Sequence, residues 1–171
     1  AYGERMAEIA RKMGKNVTVY RENYDRIPDA AKVEEILRED PEITHVGMIH
    51  SETTSGILND IAAVGKAAKA AGKTFIVDAM SSFAGVDINV PGIGIDFLVS
   101  SANKCVQGVP GFSYIICRRS ALMACQGKSK SVSLDLYDQW ATMEKDGKWR
   151  FTSPTHTVLA FAKALEELEA E

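Results

Sequence analysis

Four short apolar runs recur through the middle of the sequence, and segments of helical periodicity separate them. The runs are Thr44–Ile49, Thr74–Val77, Phe97–Ser100 and Phe112–Cys117. Each is of strand length, and none alternates polar with apolar residues as a half-solvated strand does. Pro28-Asp29 opens a helix carrying Val33, Ile36 and Leu37, which Asp40-Pro41 ends. Asn59 or Asp60 caps a second helix with Ile61, Val64, Ala68 and Ala71 on one face, and Gly72 closes it. Asn16–Tyr20 reads as a further short strand, and Ser120–Cys125 and Leu134–Met143 as weaker helices. Non-alternating apolar strands suit a mostly parallel sheet covered by helices on both faces. Strands that alternate with helices give an α/β doubly wound architecture. The segment Gly127–Val132 is the most loop-like, and the order after it is less regular.

The two ends carry helical stripes. Met6, Ile9, Ala10 and Met13 share one helix face that Gly14 stops, and Val158, Phe161, Leu165 and Leu168 share another. The second stripe runs into Glu166, Glu167, Glu169 and Glu171 with no glycine cap. Acidic side chains oppose the macrodipole at a helix C-terminus. The first residue is Ala rather than Met. The expectation is that this helix, or the chain, continues in a longer parent.

Composition removes several classes of function. The 171 residues carry a net charge of −3 and contain no Lys/Arg run, a poor match to nucleic acid or an anionic membrane. The longest uncharged stretch, Cys105–Cys117, is 13 residues and includes Gln107 and Pro110. A bilayer span needs about 20 apolar residues. The first residues lack the apolar run of a signal peptide. Cys105, Cys117 and Cys125 are odd in number and without CxxC spacing, so they read as free thiols in a reducing, cytosolic setting. His45, His50 and His156 have no metal-ligand spacing and suit capping or core roles, with His50 at the edge of a crevice. Gly92-Ile93-Gly94 lacks the third glycine of a dinucleotide fingerprint, so a generic nucleotide-binding reading is weak. Trp140 and Trp149 read as packing or interface residues.

In open α/β sheets, ligands bind beyond the carboxyl ends of the strands. His50–Gly56 follows the first apolar run, Asp78–Ser82 the second, and Ser101–Lys104 the third. Taken singly, Thr53, Thr54 and Ser55 suit a helix-entry turn, Asp78 a cap, and Lys104 a solvated loop. Taken together, a hydroxyl cluster, an aspartate and a lysine at successive strand ends suit pyridoxal phosphate (PLP). A lysine amine forms a Schiff base with its aldehyde, an aspartate keeps its pyridine nitrogen protonated, and hydroxyls and N–H groups hold its phosphate and ring oxygen.

The runs Val77-Asp78-Ala79-Met80-Ser81-Ser82-Phe83-Ala84-Gly85 and Ser100-Ser101-Ala102-Asn103-Lys104-Cys105-Val106-Gln107-Gly108-Val109-Pro110-Gly111-Phe112 resemble the core of class V, fold-type I aminotransferases. The steps of 25 residues from Thr53 to Asp78 and 26 from Asp78 to Lys104 fit that family. The resemblance runs along the chain and includes Phe151–His156. It is narrower to the branch that transfers the amino group of 2-aminoethylphosphonate to pyruvate. Alanine–glyoxylate and serine–pyruvate aminotransferases share the same skeleton.

The resemblance implies that Lys104 is the Schiff-base lysine and proton shuttle, and that Asp78 binds the pyridinium nitrogen. Thr53 would lie near the ring hydroxyl with Thr54 close by, and Met80 would pack on a ring face. Ser101 would reach the phosphate, and Thr152 the phosphate of a neighbouring subunit's cofactor, which implies a homodimer with shared sites. Cys105 reads as packing. The resemblance covers only part of the large cofactor-binding domain, residues 1–171. The family's upstream phosphate loop and its C-terminal small domain, with an arginine for the substrate's acidic group, lie outside. A reading from another class is a catalytically silent module that folds or dimerises without PLP.

Overall fold

The computed structural model describes residues 1–170. Helices α1 (Tyr2–Lys12) and α2 (Ala30–Glu39) precede strand β1 (His45–Ile49), after which come a hairpin of β2 (Ser51–Glu52) and β3 (Ile57–Leu58), then α3 (Ile61–Ala70). Strand β4 (Thr74–Asp78), the short helix α4 (Val90–Ile93), and strands β5 (Phe97–Ser101) and β6 (Ser113–Cys117) follow. Helices α5 (Arg119–Met123), α6 (Leu136–Asp146) and α7 (Thr155–Ala170) complete the described chain. Asp29, Asp60 and Asp135 begin α2, α3 and α6, each accepting a backbone N–H of the first turn that the helix itself leaves without a partner.

The main sheet has the order β1-β4-β5-β6. β1, β4 and β5 run parallel, and β6 lies antiparallel to β5. A parallel partner needs a crossover of a dozen or more residues, usually helical. Only the 11 residues Ala102–Phe112 join β5 to β6, with no helix among them, so the chain turns back. β6 is also not covered on both faces, since Ile115 and Ile116 are 38% and 37% exposed.

Two further expectations differ from the structure. Asn16–Tyr20 is not a strand. Its Val-Thr-Val run favours extended backbone, but a strand needs a ladder, and among the described residues no strand borders β1 on its free edge. The stripe of α1 is only partly inward: Ile9 and Met13 are about half exposed, and the buried residue is Ala7. Met6 fills the space over Gly47 of β1, its Sδ 2.7 Å from where a Cβ there would stand.

The core lies between α3 and the sheet. Ile61, Val64 and Ala68 pack against Phe75, Val77 and Leu98, the last three fully buried. Each large side chain so buried contributes about 1.5–3 kcal/mol. The contact is close because α3 presents Gly65, where an added Cβ would lie 2.9 Å from the Ile93 carbonyl oxygen and 2.8 Å from its Cγ2. Gly65→Ala is therefore expected to destabilise the fold by about 1–3 kcal/mol, against a helix-propensity gain of about 1 kcal/mol. Urea unfolding of the two proteins measures this, and an unchanged or raised midpoint would refute it.

At the opposite end of the sheet from the strands' carboxyl ends, Asp96 is wholly buried. It accepts hydrogen bonds from Phe75 N–H (2.8 Å) and Lys69 Nζ (2.7 Å), and Arg118 Nη2 stands 2.5 Å from its Oδ1. Burial pushes its carboxyl up, but these donors and charges outweigh burial and hold it below the usual carboxylate range. It thus ties α3, β4 and the end of β6 to the entrance of β5. No helix of the described residues is long and apolar enough to cross a membrane.

Candidate active site

Parallel pairing sets three strand ends level. Ile49 stands opposite Asp78, and Asp78 opposite Val99. Beyond the ladder, His50 N–H donates to the Asp78 carbonyl at 2.8 Å, and Ala79 N–H to the Val99 carbonyl at 2.9 Å. The segments after β1, β4 and β5 therefore leave the sheet side by side at one edge, as the motif order predicts.

Asp78 is the last residue of β4 and is half-buried. Its Oδ1 accepts the Met80 N–H at 3.0 Å. Burial raises its carboxyl above the usual range; that hydrogen bond lowers it only partly, and the charge of Glu52 raises it further. It forms no ion pair among the described residues. Met80 is half-buried beside it.

Lys104 lies on the β5–β6 connection, is exposed, and makes no ion pair among the described residues. The connection is folded tightly: Gln107 N–H donates to the Lys104 carbonyl and Gly108 N–H to the Ala102 carbonyl, both at 2.8 Å. A Cβ at Gly108 would meet that Ala102 oxygen at 2.7 Å, so only glycine fits. Cys105 Sγ lies 3.5 Å from the Ser81 carbonyl oxygen, setting the lysine's loop against the turn that follows Asp78. Each of these turns contains a non-glycine residue at positive φ: Ala84 at 71° and Gln107 at 62°. Such residues cost of order 1–3 kcal/mol and cluster at functional sites.

Thr53 and Thr54 sit on the four-residue turn of the β2–β3 hairpin and not on a helix entry. The two hydroxyls differ. Thr54 Oγ1 donates to Glu52 Oε1 at 2.7 Å and is committed there. Thr53 is exposed, and its side chain has no hydrogen bond among the described residues.

Ser101 is buried, and its Oγ has no hydrogen-bond partner among the described residues. Thr152 is exposed on the segment before α7. α7 itself reaches the lysine's connection, where Phe161 packs edge-on to Phe112 with ring centroids 5.2 Å apart. Trp149 also stands edge-on to Phe112, and Arg119 lies over Trp140. His50 is more deeply placed than a crevice-edge residue, 4% exposed, with Nδ1 2.9 Å from Ser82 Oγ. Cys105, Cys117 and Cys125 are free thiols. Among the described residues no cluster of His, Cys, Asp and Glu could hold a metal ion.

These residues fit the cofactor that the motifs imply. A desolvated carboxylate with no cation beside it is relieved by a protonated ring nitrogen. An exposed, unpaired amine is available to an aldehyde, and the unpartnered Ser101 hydroxyl to an anionic oxygen.

The family described as aminotransferase class-V matches residues 4–171. The chain belongs to the class V aminotransferases, and its fold is that of fold-type I PLP-dependent enzymes. It is 57% identical, over its whole length, to a 2-aminoethylphosphonate–pyruvate transaminase from Klebsiella pneumoniae, and 54% identical to one from Lysinibacillus sphaericus. It spans 47% of each of those relatives. It superposes on a solved pyridoxamine-pyruvate aminotransferase from Mesorhizobium loti with a TM-score of 0.80 and 28% identity, over 88% of this chain and 39% of that one.

Proposed function

We propose that this chain forms the lysine- and aspartate-bearing part of a PLP-dependent transaminase. The enzyme would move the amino group of 2-aminoethylphosphonate to pyruvate, giving phosphonoacetaldehyde and L-alanine. The observation that carries the reading is a desolvated, cation-free Asp78 at the end of β4 beside an unpaired Lys104 on the connection that leaves the neighbouring β5, in a chain 57% identical to such a transaminase.

When bound, PLP supplies an electron sink for charge developing at the substrate's α-carbon. Lys104 would hold the cofactor's aldehyde at rest and carry the proton at that carbon during turnover. Asp78 would keep the pyridine nitrogen protonated, at the cost of its own burial. Thr53 has the hydroxyl left for the ring oxygen, Met80 would lie on a ring face, and Ser101 would take the phosphate. Thr152, in this reading, would serve the site of a second subunit in a homodimer. The free thiols suit a cytosolic enzyme.

The test uses a chain extended to the length of its curated relatives. Its rate on 2-aminoethylphosphonate with pyruvate is compared with its rates on alanine with glyoxylate and serine with pyruvate. The aminophosphonate is expected to be the preferred donor. A preference for alanine or serine would overturn the substrate assignment, and the absence of any PLP-dependent spectrum would overturn the cofactor itself.

A further inference from the structure

His50 joins the three segments that bear the site. Its backbone N–H donates to the Asp78 carbonyl, and its carbonyl accepts the Asn59 N–H, both at 2.8 Å. The second of these bonds closes the base of the hairpin that carries Thr53, helped by Asn59 Nδ2 donating to the Ile49 carbonyl at 2.9 Å. The imidazole reaches the third segment, with Nδ1 2.9 Å from Ser82 Oγ. Ser82 belongs to a tight turn: its own N–H and that of Phe83 both donate to the Ala79 carbonyl. The same turn contains Met80, whose N–H holds Asp78 Oδ1.

His50 and Ser82 are both buried, at 4% and 1% exposure. A buried polar pair stays together because separating it strands two groups without partners. Burial also lowers the imidazole's basicity and so favours the uncharged ring.

We propose that His50 is a positioning residue: through its bond to Ser82 it fixes the Asp78 carboxylate relative to the Thr53 hairpin, and so sets how tightly the cofactor is held. The inference rests on the PLP reading above. It adds a role for a histidine whose ring meets Ser82 rather than the lysine.

The test separates the hydrogen bond from bulk. In the extended chain, His50→Leu keeps most of the volume and loses the bond, whereas His50→Asn keeps a polar atom near the position of Nδ1. Loss of the bond is expected to weaken PLP binding about tenfold, read by titrating the visible absorbance. His50→Asn is expected to stay within about threefold of the parent, and Ser82→Ala to match His50→Leu, with no further loss in the double variant. Equal PLP affinity in parent and His50→Leu would overturn the proposal, as would additive losses in the double variant or an Asn variant as weak as the Leu variant.

A second readout needs no cofactor. In the cofactor-free protein, amide exchange at Met80 is expected to quicken in His50→Leu and Ser82→Ala while exchange at Phe75 in the core is unchanged. Slow Met80 exchange in both variants would overturn the positioning role, even in a chain that bound no PLP. Failure of the parent to bind PLP, with Met80 exchange quickened, would overturn the cofactor reading and leave the tie to Asp78 standing.

Discussion

Lys104→Ala is expected to abolish the visible absorbance that PLP acquires when covalently held, and to lower transamination by about 10⁴-fold or more. The magnitude follows from removing a covalent attachment and a proton carrier in one substitution, the latter alone contributing about 10²–10⁴-fold. Stability should hardly change, since the side chain is exposed and makes no ion pair among the described residues. Absorbance spectra and steady-state rates on the extended chain, with thermal unfolding as a control, make the measurement. A Lys104→Ala protein that retained both the band and the activity would remove the basis of the proposed function. Lys104→Arg keeps the charge but cannot attach the aldehyde, so it should be equally inactive.

Asp78→Asn is expected to act in opposite directions on activity and on stability. Activity should fall by about 10²–10³-fold, the usual cost of removing one preorganised charged partner. The cofactor-free protein should become more stable at neutral pH. Burial, then the charge of Glu52, raises the Asp78 carboxyl above its ordinary value in the fold, so the folded state disfavours its charged form. A group whose folded pKa is raised supports the fold fully below its unfolded value, and that support is lost as pH rises through the folded value. Asparagine carries no charge to bury. The variant's Tm should therefore exceed the parent's at pH 7, and the gap should close as pH falls below about 4, where an ordinary aspartate is protonated. A variant less stable than the parent at pH 7, or a gap independent of pH, would show that burial does not strain Asp78. This trade is the expected signature of a site residue that serves a ligand rather than the fold.

The core strands and helices were legible because their signals are local. Asp29 and Asp60 cap the helices as their positions suggest, and Gly72, at a φ of 68°, closes α3 where only a residue tolerant of that conformation fits. The order of the motifs set Asp78 at the end of β4 and Lys104 on the connection that leaves the neighbouring β5, because a parallel sheet puts every carboxyl end on the same edge. Illegible features depend on partners distant in sequence. Asn16–Tyr20 has the composition of a strand and no ladder to join. The direction of β6 follows from a helix-free connection that local propensity does not register. Asp96 reads in the sequence as an unremarked acidic residue between Ile95 and Phe97, and only the fold brings Lys69, Phe75 and Arg118 to it.

The site divides in the same way. A hydroxyl cluster, an aspartate and a lysine in that order suit pyridoxal phosphate, and the resemblance of the runs around Asp78 and Lys104 to class V aminotransferases made that reading specific, where strand and helix pattern alone points only to a generic α/β nucleotide- or phosphate-binding domain. Tertiary structure decided which hydroxyl is available, because Glu52 engages Thr54 and leaves Thr53. It also decided that Asp78 is desolvated without a countercharge, and that His50 is buried against Ser82 instead of facing the crevice. Burial and hydrogen-bond competition are properties of what surrounds a group: His50 meets Ser82 from 32 positions away, and the charge of Glu52 reaches Asp78 across the fold, so only folding assembles these surroundings.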